Sequence, residues 1–538
     1  MANTILFLSV NSSYSHSSLA LPILHNACKG LTNWQWLKEE ITIQEDPGEI
    51  AVKLSEQNPD ILACSLYIFN REAVLKILER FTQLSPNSKI ILGGPECLGH
   101  NAKELLDKYS FIHTCFVGEA EEYLKEYLEN YSPNQPRSII PENKPAIAEN
   151  WHTSYPVCDE FFNTDKPFVQ LETSRGCPMG CKYCTSCNNP LRVKDLASVK
   201  EELTLLKAKN VKDVRVLDRT FNLPQSRGVQ LLKLFRTQFP DIHFHLEFHP
   251  SFLGDELKEE LKKANLNQLH LETGIQSLDA NVQNAIGRKA NKEAVLAGIK
   301  FLTSLKQFET HTDLIFGLPN QTFDSVLEDV ATLLDIGVAE IQLEVLKVLP
   351  GTPLVKELDI YGIKHSPSAP YEVLATNNLS AKEILKLRSL SRILDLFYNH
   401  SVFFHTILAM NLTTKEKVED FLTYLLNENV SFNTILNAKK GFSILQKYLS
   451  SNNLSNACGI LSTSWIENGY PLDDLPFGKV EKCFEIPSNM KLYSGDAEIL
   501  TSRETRLWQF NWENTCKIYA FNRKYKINAP GAIWINCN

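Results

Sequence analysis

Short apolar runs alternate with stretches of helical period through the first two thirds of the chain. Ile5–Val10, Ile41–Gln44, Ile61–Phe69, Lys89–Leu92 and Thr114–Val117 are apolar and end at polar or Gly/Pro breaks. Between them run patterns such as Val74, Ile77, Leu78 and Phe81, which recur at helical spacing. That alternation predicts strands joined by helices, and hence a parallel sheet covered on both faces. Several strands run straight into small or flexible residues: Asn11-Ser12-Ser13 after the first, Gly93-Gly94-Pro95 after the fourth and Gly118-Glu119 after the fifth. In an open sheet of this kind ligands bind at the carboxyl ends of the strands, where such residues let a large flat ligand approach the backbone.

The proline-rich, polar stretches Tyr131–Arg137 and Pro141–Pro145 read as an extended linker. A second series follows, with strands expected at Phe168–Glu172, Asp213–Leu217, His243–Phe248, Gln268–Glu272, Thr312–Phe316 and Glu340–Leu346. Six βα steps suffice to curve a parallel sheet into a partial (β/α)6 barrel with its chemistry at the C-terminal strand ends. Beyond Pro350-Gly-Thr-Pro353 the pattern turns helical, with apolar stripes at Leu387, Leu390, Leu394 and Phe397 and at Val418, Phe421, Leu422 and Leu425. Past about Phe477 short aromatic runs show no clear period. The expected organisation is a doubly wound α/β domain over 1–135, a linker over 136–165, the barrel over 166–355 and a mostly helical C-terminal domain over 356–538.

Composition narrows the setting. Across 538 residues, 43% are hydrophobic and 22% charged, which is ordinary for a globular protein and excludes collagen, coiled coil and wholesale disorder. The net charge of −8 supplies no general attraction for phosphate backbones, and no basic-aromatic motif marks a nucleic-acid partner. Thirteen cysteines, an odd number and mostly scattered, argue against a disulfide framework. With no basic region ahead of Ile5–Val10 and no apolar run near ~18 residues, the expectation is a cytoplasmic protein without a membrane span.

Chemistry concentrates in Glu172-Thr-Ser-Arg-Gly-Cys177-Pro-Met-Gly-Cys181-Lys-Tyr-Cys184. Three thiols in a tight loop, directly after the first barrel strand, suit the soft-ligand chemistry of an iron–sulfur cluster, and a missing fourth ligand leaves one iron open. A structural zinc site is the competing reading, although four-thiolate zinc sites usually draw on two separated CxxC pairs. Cys187 forms a CxxC with Cys184 and is read as lying beside the cluster or as incidental. On the third barrel strand, His245, Glu247 and His249 fall on one face by period two. With Asp218 and Arg219 they are candidates to meet a substrate or to solvate the rim.

Cys177-x3-Cys181-x-Tyr183-Cys184, after the first strand of a βα series, resembles the radical S-adenosylmethionine (SAM) superfamily. Leu217–Phe221, Glu272-Thr-Gly-Ile-Gln-Ser277 and Asp313–Pro319 agree with that family's layout. The resemblance implies a TIM-type barrel and a 4Fe–4S cluster on Cys177, Cys181 and Cys184 whose open iron chelates SAM. It also implies Tyr183 near the adenine, with Glu272, Gln276 and Ser277 around the rest of SAM.

A doubly wound, Rossmann-like domain ahead of such a core resembles the cobalamin-binding domain of B12-dependent radical SAM proteins. Ser65-Leu-Tyr67, Gly93-Gly94-Pro95 and Gly118-Glu119-Ala-Glu121 carry the match. They imply a corrinoid lying on small residues, with Ser65, Tyr67, Gly93, Gly94, Gly118 and Glu119 as its contacts. The DxHxxG signature that supplies an axial histidine to cobalt is absent, and His16 and His25 read as solvated or capping residues. Asn11–Leu19, Lys347–Leu354 and Pro370–Leu374 resemble a narrower group of B12-binding radical SAM proteins with a DUF4080-type C-terminal extension. The implied activity is cobalamin-dependent methylation of an unactivated carbon of an unknown substrate, with an electron donor such as flavodoxin or ferredoxin. The alternatives are radical rearrangement without methylation and a non-catalytic corrinoid- or metal-binding module.

Overall fold

A computed structural model describes residues 3–153, 155–288, 290–502, 504–513, 515–522 and 529–536. The chain divides into two compact units, one formed by 1–310, 317–321 and 345–381, the other by 311–316, 322–344 and 382–538.

In the first unit the N-terminal strands are β1 (Asn3–Asn11), β2 (Trp34–Thr42), β3 (Ile61–Ser65), β4 (Lys89–Gly93), β5 (Ile112–Phe116) and β6 (Ser138–Ile140). They form a parallel sheet in the order β2-β1-β3-β4-β5-β6. Leu6, Leu8 and Val10 pack on one side with Leu62 and Phe81, while Ile5 and Phe7 pack on the other with Ile61 and Phe116. Both faces are therefore buried, as the mostly apolar runs require. Two elements differ from the sequence expectation. The second strand lies at Trp34–Thr42 rather than Ile41–Gln44; as an edge strand it carries Lys38, Glu39 and Glu40, which broke the apolar signal. The stretch read as linker contributes β6, paired with β5.

The second series begins with β7 (Val169–Leu171), followed by an antiparallel hairpin of β8 (Ser174–Cys177) and β9 (Asn189–Val193). Then come β10 (Asp213–Val216), β11 (His243–Phe248), β12 (Leu269–Gln276), β13 (Glu309–Phe316) and β14 (Glu340–Val345). Within the first unit β7, β10, β11 and β12 are successive parallel neighbours. Phe244, Leu246 and Phe248 face the helices and are buried, whereas His243, His245 and Glu247 alternate onto the opposite face.

The second unit holds most of β13 and β14, which are neighbours, and the C-terminal helices. Both expected apolar stripes are buried there, with Leu387, Phe397 and Leu425 fully enclosed. The aromatic runs beyond Phe477 form a five-stranded antiparallel sheet including Val480–Cys483, Met490–Gly495, Arg506–Trp512 and Thr515–Phe521. Its sides belong to two separate small cores, around Ile518 and Trp534 and around Phe510 and Tyr519. Apolar residues on both faces erase the alternation that would have announced the strands. Among the described residues no helix is long and apolar enough to cross a membrane, and all twelve described cysteines are free thiols.

Candidate active site

The β8–β9 hairpin closes a loop over 178–188 that carries the thiols. Two consecutive turns, with the Cys184 amide on the Cys181 carbonyl (3.0 Å) and the Cys187 amide on the Cys184 carbonyl (3.1 Å), coil the segment. Cys177 and Cys181 are buried and Cys184 and Cys187 half-buried. Among the described residues no three of these sulfurs lie within 4.8 Å of one another.

Arg288, which nothing in the sequence singled out, lies beside this loop. It is 8% exposed, with Nη1 3.6 Å from Cys181 Sγ, a second guanidinium nitrogen on the Gly274 carbonyl and a buried Nε without a partner. A buried cation against thiols offsets the negative charge that ligation would create. Tyr183 packs against Arg288 and Cys181, and burial pushes its phenol well above the ordinary range. The Asp218 carboxylate, 2% exposed, accepts from the Thr173 amide (2.8 Å), the Ser174 amide (2.8 Å) and the Thr173 hydroxyl (2.5 Å). It is therefore committed to the turn that leads into Cys177 rather than to the rim.

Neighbouring strands add a polar inner face. His245 sits opposite His270 and Glu247 opposite Glu272 in the β11–β12 register. His245 Nε2 is 3.0 Å from Glu272 and its ring stacks on His270 at 4.6 Å. Burial raises Glu247 to about 7, with Arg219 opposing and the charges of Glu272 and Asp218 adding to the rise. His249 lies beyond the strand end, 3% exposed, with Nδ1 to Ser251 (2.8 Å) and a buried, unpartnered Nε2. Burial lowers it to about 3, so it is neutral. Gln276 has φ +68°, unusual for a non-glycine residue, and its buried Oε1 has no partner. The Ser277 hydroxyl, in contrast, accepts the Asp279 amide in the turn that enters the next helix.

In the N-terminal domain the strand order reverses between β1 and β3, and the crevice beyond their carboxyl ends is the expected ligand site of such a sheet. Ser65 and Tyr67 sit there. Asn70, 1% exposed, ties the two ends together through the Val10 carbonyl (2.9 Å), the Ser65 carbonyl (3.2 Å) and the Tyr67 amide (2.8 Å). Tyr67 stacks on Phe69 and feels the charges of Glu172 and Arg219 from the barrel. Gly93 is the register partner of Ser65, and Gly94 packs its backbone on Leu66.

Gly118 and Glu119 have other partners. Gly118, at φ +94°, touches the backbone of Ala146, where a Cβ would come within 2.4 Å of an amide nitrogen. Glu119 pairs with Arg192 and with Arg175 (3.2 Å), and Arg175 also binds Glu121 (2.5 Å) and Glu172 (2.9 Å). The carboxylate expected on the corrinoid thus joins the β5 loop to the hairpin that carries Cys177. His16 Nδ1 bonds Ser13 (2.8 Å) and its ring packs on Phe168, while His25 Nδ1 bonds Asp159 (2.8 Å).

Residues 171–333 match the model of the radical SAM superfamily. The chain carries a radical SAM domain. Behind it, residues 359–469 match a protein of unknown function, DUF4080. The cobalamin-dependent radical SAM methyltransferase TokK of Streptomyces tokunonensis is 22% identical over 347 residues, which cover 58% of this chain and 51% of TokK. The match thus spans about half of that relative. Among solved structures, the radical SAM methyltransferase TsrM of Kitasatospora setae aligns over 69% of this chain and 80% of its own (TM-score 0.53, 16% identity). The cobalamin-dependent SAM radical enzyme OxsB aligns over 86% of this chain and 79% of its own (TM-score 0.55, 13% identity). These likenesses show the fold: a doubly wound α/β domain ahead of a radical SAM barrel, with a C-terminal extension.

Proposed function

We propose that the protein is a cobalamin-dependent radical SAM methyltransferase acting on an unactivated carbon. The observation that carries this reading is the gathering of Cys177, Cys181 and Cys184 on one hairpin and its loop, with the buried Arg288 against Cys181. TokK, TsrM and OxsB, whose names give them SAM or cobalamin chemistry, support it.

The donor set fits the groups the reading requires. Cys177, Cys181 and Cys184 would hold a 4Fe–4S cluster, with Tyr183 beside it. Arg288 Nε and Gln276 Oε1 are buried and unpartnered, one a donor and one an acceptor, as a ligand with carboxylate and amine ends demands. Glu272 is half-exposed on the inner face, suited to a hydroxyl or ammonium, while Ser277 stands behind it in the turn. Ser65, Tyr67, Gly93 and Gly94 line the crevice where cobalamin would lie; Gly118 and Glu119 support that crevice from the β5 side. When bound, the cluster and SAM supply a carbon-centred radical, and the corrinoid supplies the methyl group.

The chain's own residues then do four things. Arg288 balances thiolate charge and offers Nε to an anionic group. Asp218 fixes the turn ahead of Cys177. Glu247, held near neutrality by burial, accepts or donates a proton at its carboxyl oxygen at physiological pH. Tyr67 and Phe69 present a stacked aromatic pair beside the crevice, against which a flat ligand would pack. The reaction requires an external one-electron reductant, for which flavodoxin or ferredoxin is the proposed class, and a cytoplasmic setting suits its oxygen-sensitive chemistry.

Anaerobic reconstitution followed by absorbance spectroscopy, cofactor extraction and product mass tests this. Iron, sulfide, bound corrinoid and a product heavier by one methyl group are expected. A product isomeric with its substrate would replace methylation by rearrangement, and a protein without iron or SAM cleavage would reduce the chain to a binding module.

A further inference from the structure

Two sequence motifs, Lys347–Leu354 and Pro370–Leu374, contribute no residue to the candidate site. After β14 the chain returns to the first unit, where these segments pair as a strap: the Val348 amide bonds the Tyr371 carbonyl (3.0 Å) and the Val373 amide the Leu346 carbonyl (2.9 Å). The strap closes on the loop after β4 at two points. Gly351 and Gly99 meet backbone to backbone, so that a Cβ on Gly99 would stand 2.7 Å from the Gly351 nitrogen. Beside them, the Tyr371 hydroxyl donates to Glu96 Oε2 (2.7 Å), and Arg71 Nη1 donates to the same oxygen (2.9 Å).

This triad is enclosed: Glu96 is 1% and Tyr371 8% exposed. It also reaches the loops after β3 and β4. Glu96 lies three residues past Gly93, and Arg71 begins the helix that follows the β3 loop and Asn70. Tyr371 holds φ +57°, a conformation that a bulky residue keeps only when its surroundings over-determine it. Apolar packing alone would have served to cover the loop. A phenol aimed at a buried carboxylate that is already paired with arginine adds direction, because such a bond fixes register rather than area.

We infer that Tyr371 is a positioning residue for the corrinoid: through Glu96 and Arg71, the strap after the barrel sets the spacing of the β3 and β4 loops that carry Ser65, Tyr67, Gly93 and Gly94. The inference rests on the cobalamin reading of that crevice. It gives the two motifs a physical task, since chain beyond the barrel completes the N-terminal site.

The test uses the full chain, reconstituted anaerobically, with hydroxocobalamin as the probe. Tyr371→Phe removes one bond to a charged acceptor and should weaken hydroxocobalamin about tenfold in equilibrium dialysis. It should also shift the bound corrinoid's absorption bands, while iron content and SAM binding stay at wild-type levels. Glu96→Gln keeps an acceptor for the phenol but removes the charge paired with Arg71, so it should weaken hydroxocobalamin at least as much as Tyr371→Phe. Unchanged affinity and spectrum in Tyr371→Phe would overturn the inference, as would parallel loss of SAM and corrinoid binding, which marks general unfolding. Failure of the wild-type chain to bind hydroxocobalamin would instead bring down the cobalamin reading, and the strap's role with it.

Discussion

Replacing Asp218 by alanine probes how the cysteine loop is built. The carboxylate receives two backbone amides and one hydroxyl from Thr173 and Ser174, all in a buried setting. Arg227 bonds the Thr173 carbonyl (3.0 Å) and interacts with the Asp218 charge. Alanine leaves three donors without acceptors, and each orphaned buried group costs roughly 1–3 kcal/mol. Water entering the vacated space recovers part of this, so the expected loss is about 3–5 kcal/mol, a large share of the ~5–15 kcal/mol that holds a domain together. Asparagine keeps one accepting oxygen but turns an NH2 toward donors, and should cost about 1–2 kcal/mol. Because Ser174 opens the strand that ends at Cys177, the turn should loosen before the barrel does. Urea midpoints and iron per chain after anaerobic reconstitution would be measured for both variants, with the exposed Asp241→Ala as control. Asp218→Ala holding wild-type iron and the wild-type midpoint would refute the argument, since the hydrogen bonds would then carry no net free energy.

Three further outcomes follow from the same geometry. Cys181→Ala should abolish cluster assembly and SAM cleavage, read as iron and sulfide content and as 5′-deoxyadenosine formed; full iron content would remove Cys181 from the ligand set. Gly118→Ala forces a Cβ into the Ala146 backbone at φ +94°, and should lower stability by about 2–4 kcal/mol in thermal or urea unfolding. Glu247, raised to about 7 from an ordinary value near 4.5, keeps a proton that the unfolded chain releases between those pH values. Stability of the apo chain should therefore fall as pH rises from about 4.5 to 7, by about 2–3 kcal/mol from this group, and Glu247→Gln should flatten that slope in unfolding measured across the range.

The sequence by itself determined the elements whose physics is local. Mostly apolar runs buried on both faces announced β1, β3, β4 and β5, because a parallel sheet inside two helical layers leaves room for few polar side chains, here Ser9, His113 and Thr114. Period two placed His245 and Glu247 on one face of β11, whereas His249, read onto the same face, falls beyond the strand's end, and three thiols within eight residues marked the candidate cluster loop. Where side chains answer to two environments the pattern failed. The edge strand β2 carries charges on its open side, and the C-terminal sheet is apolar on both faces around separate small cores, so neither shows an alternation.

Tertiary structure alone decided the pairings between distant residues. Nothing in a lone arginine past a short helix marks Arg288 as the cation beside Cys181, and Asp218 looked like a rim acid until its three donors enclosed it. Glu119 matched a corrinoid motif, yet folding spends its carboxylate on Arg175 and Arg192. Tyr371 meets Glu96 across 275 positions of chain. Period and spacing encode what a segment does with its own neighbours; the free energy of a buried charge depends on which partner the fold brings to it.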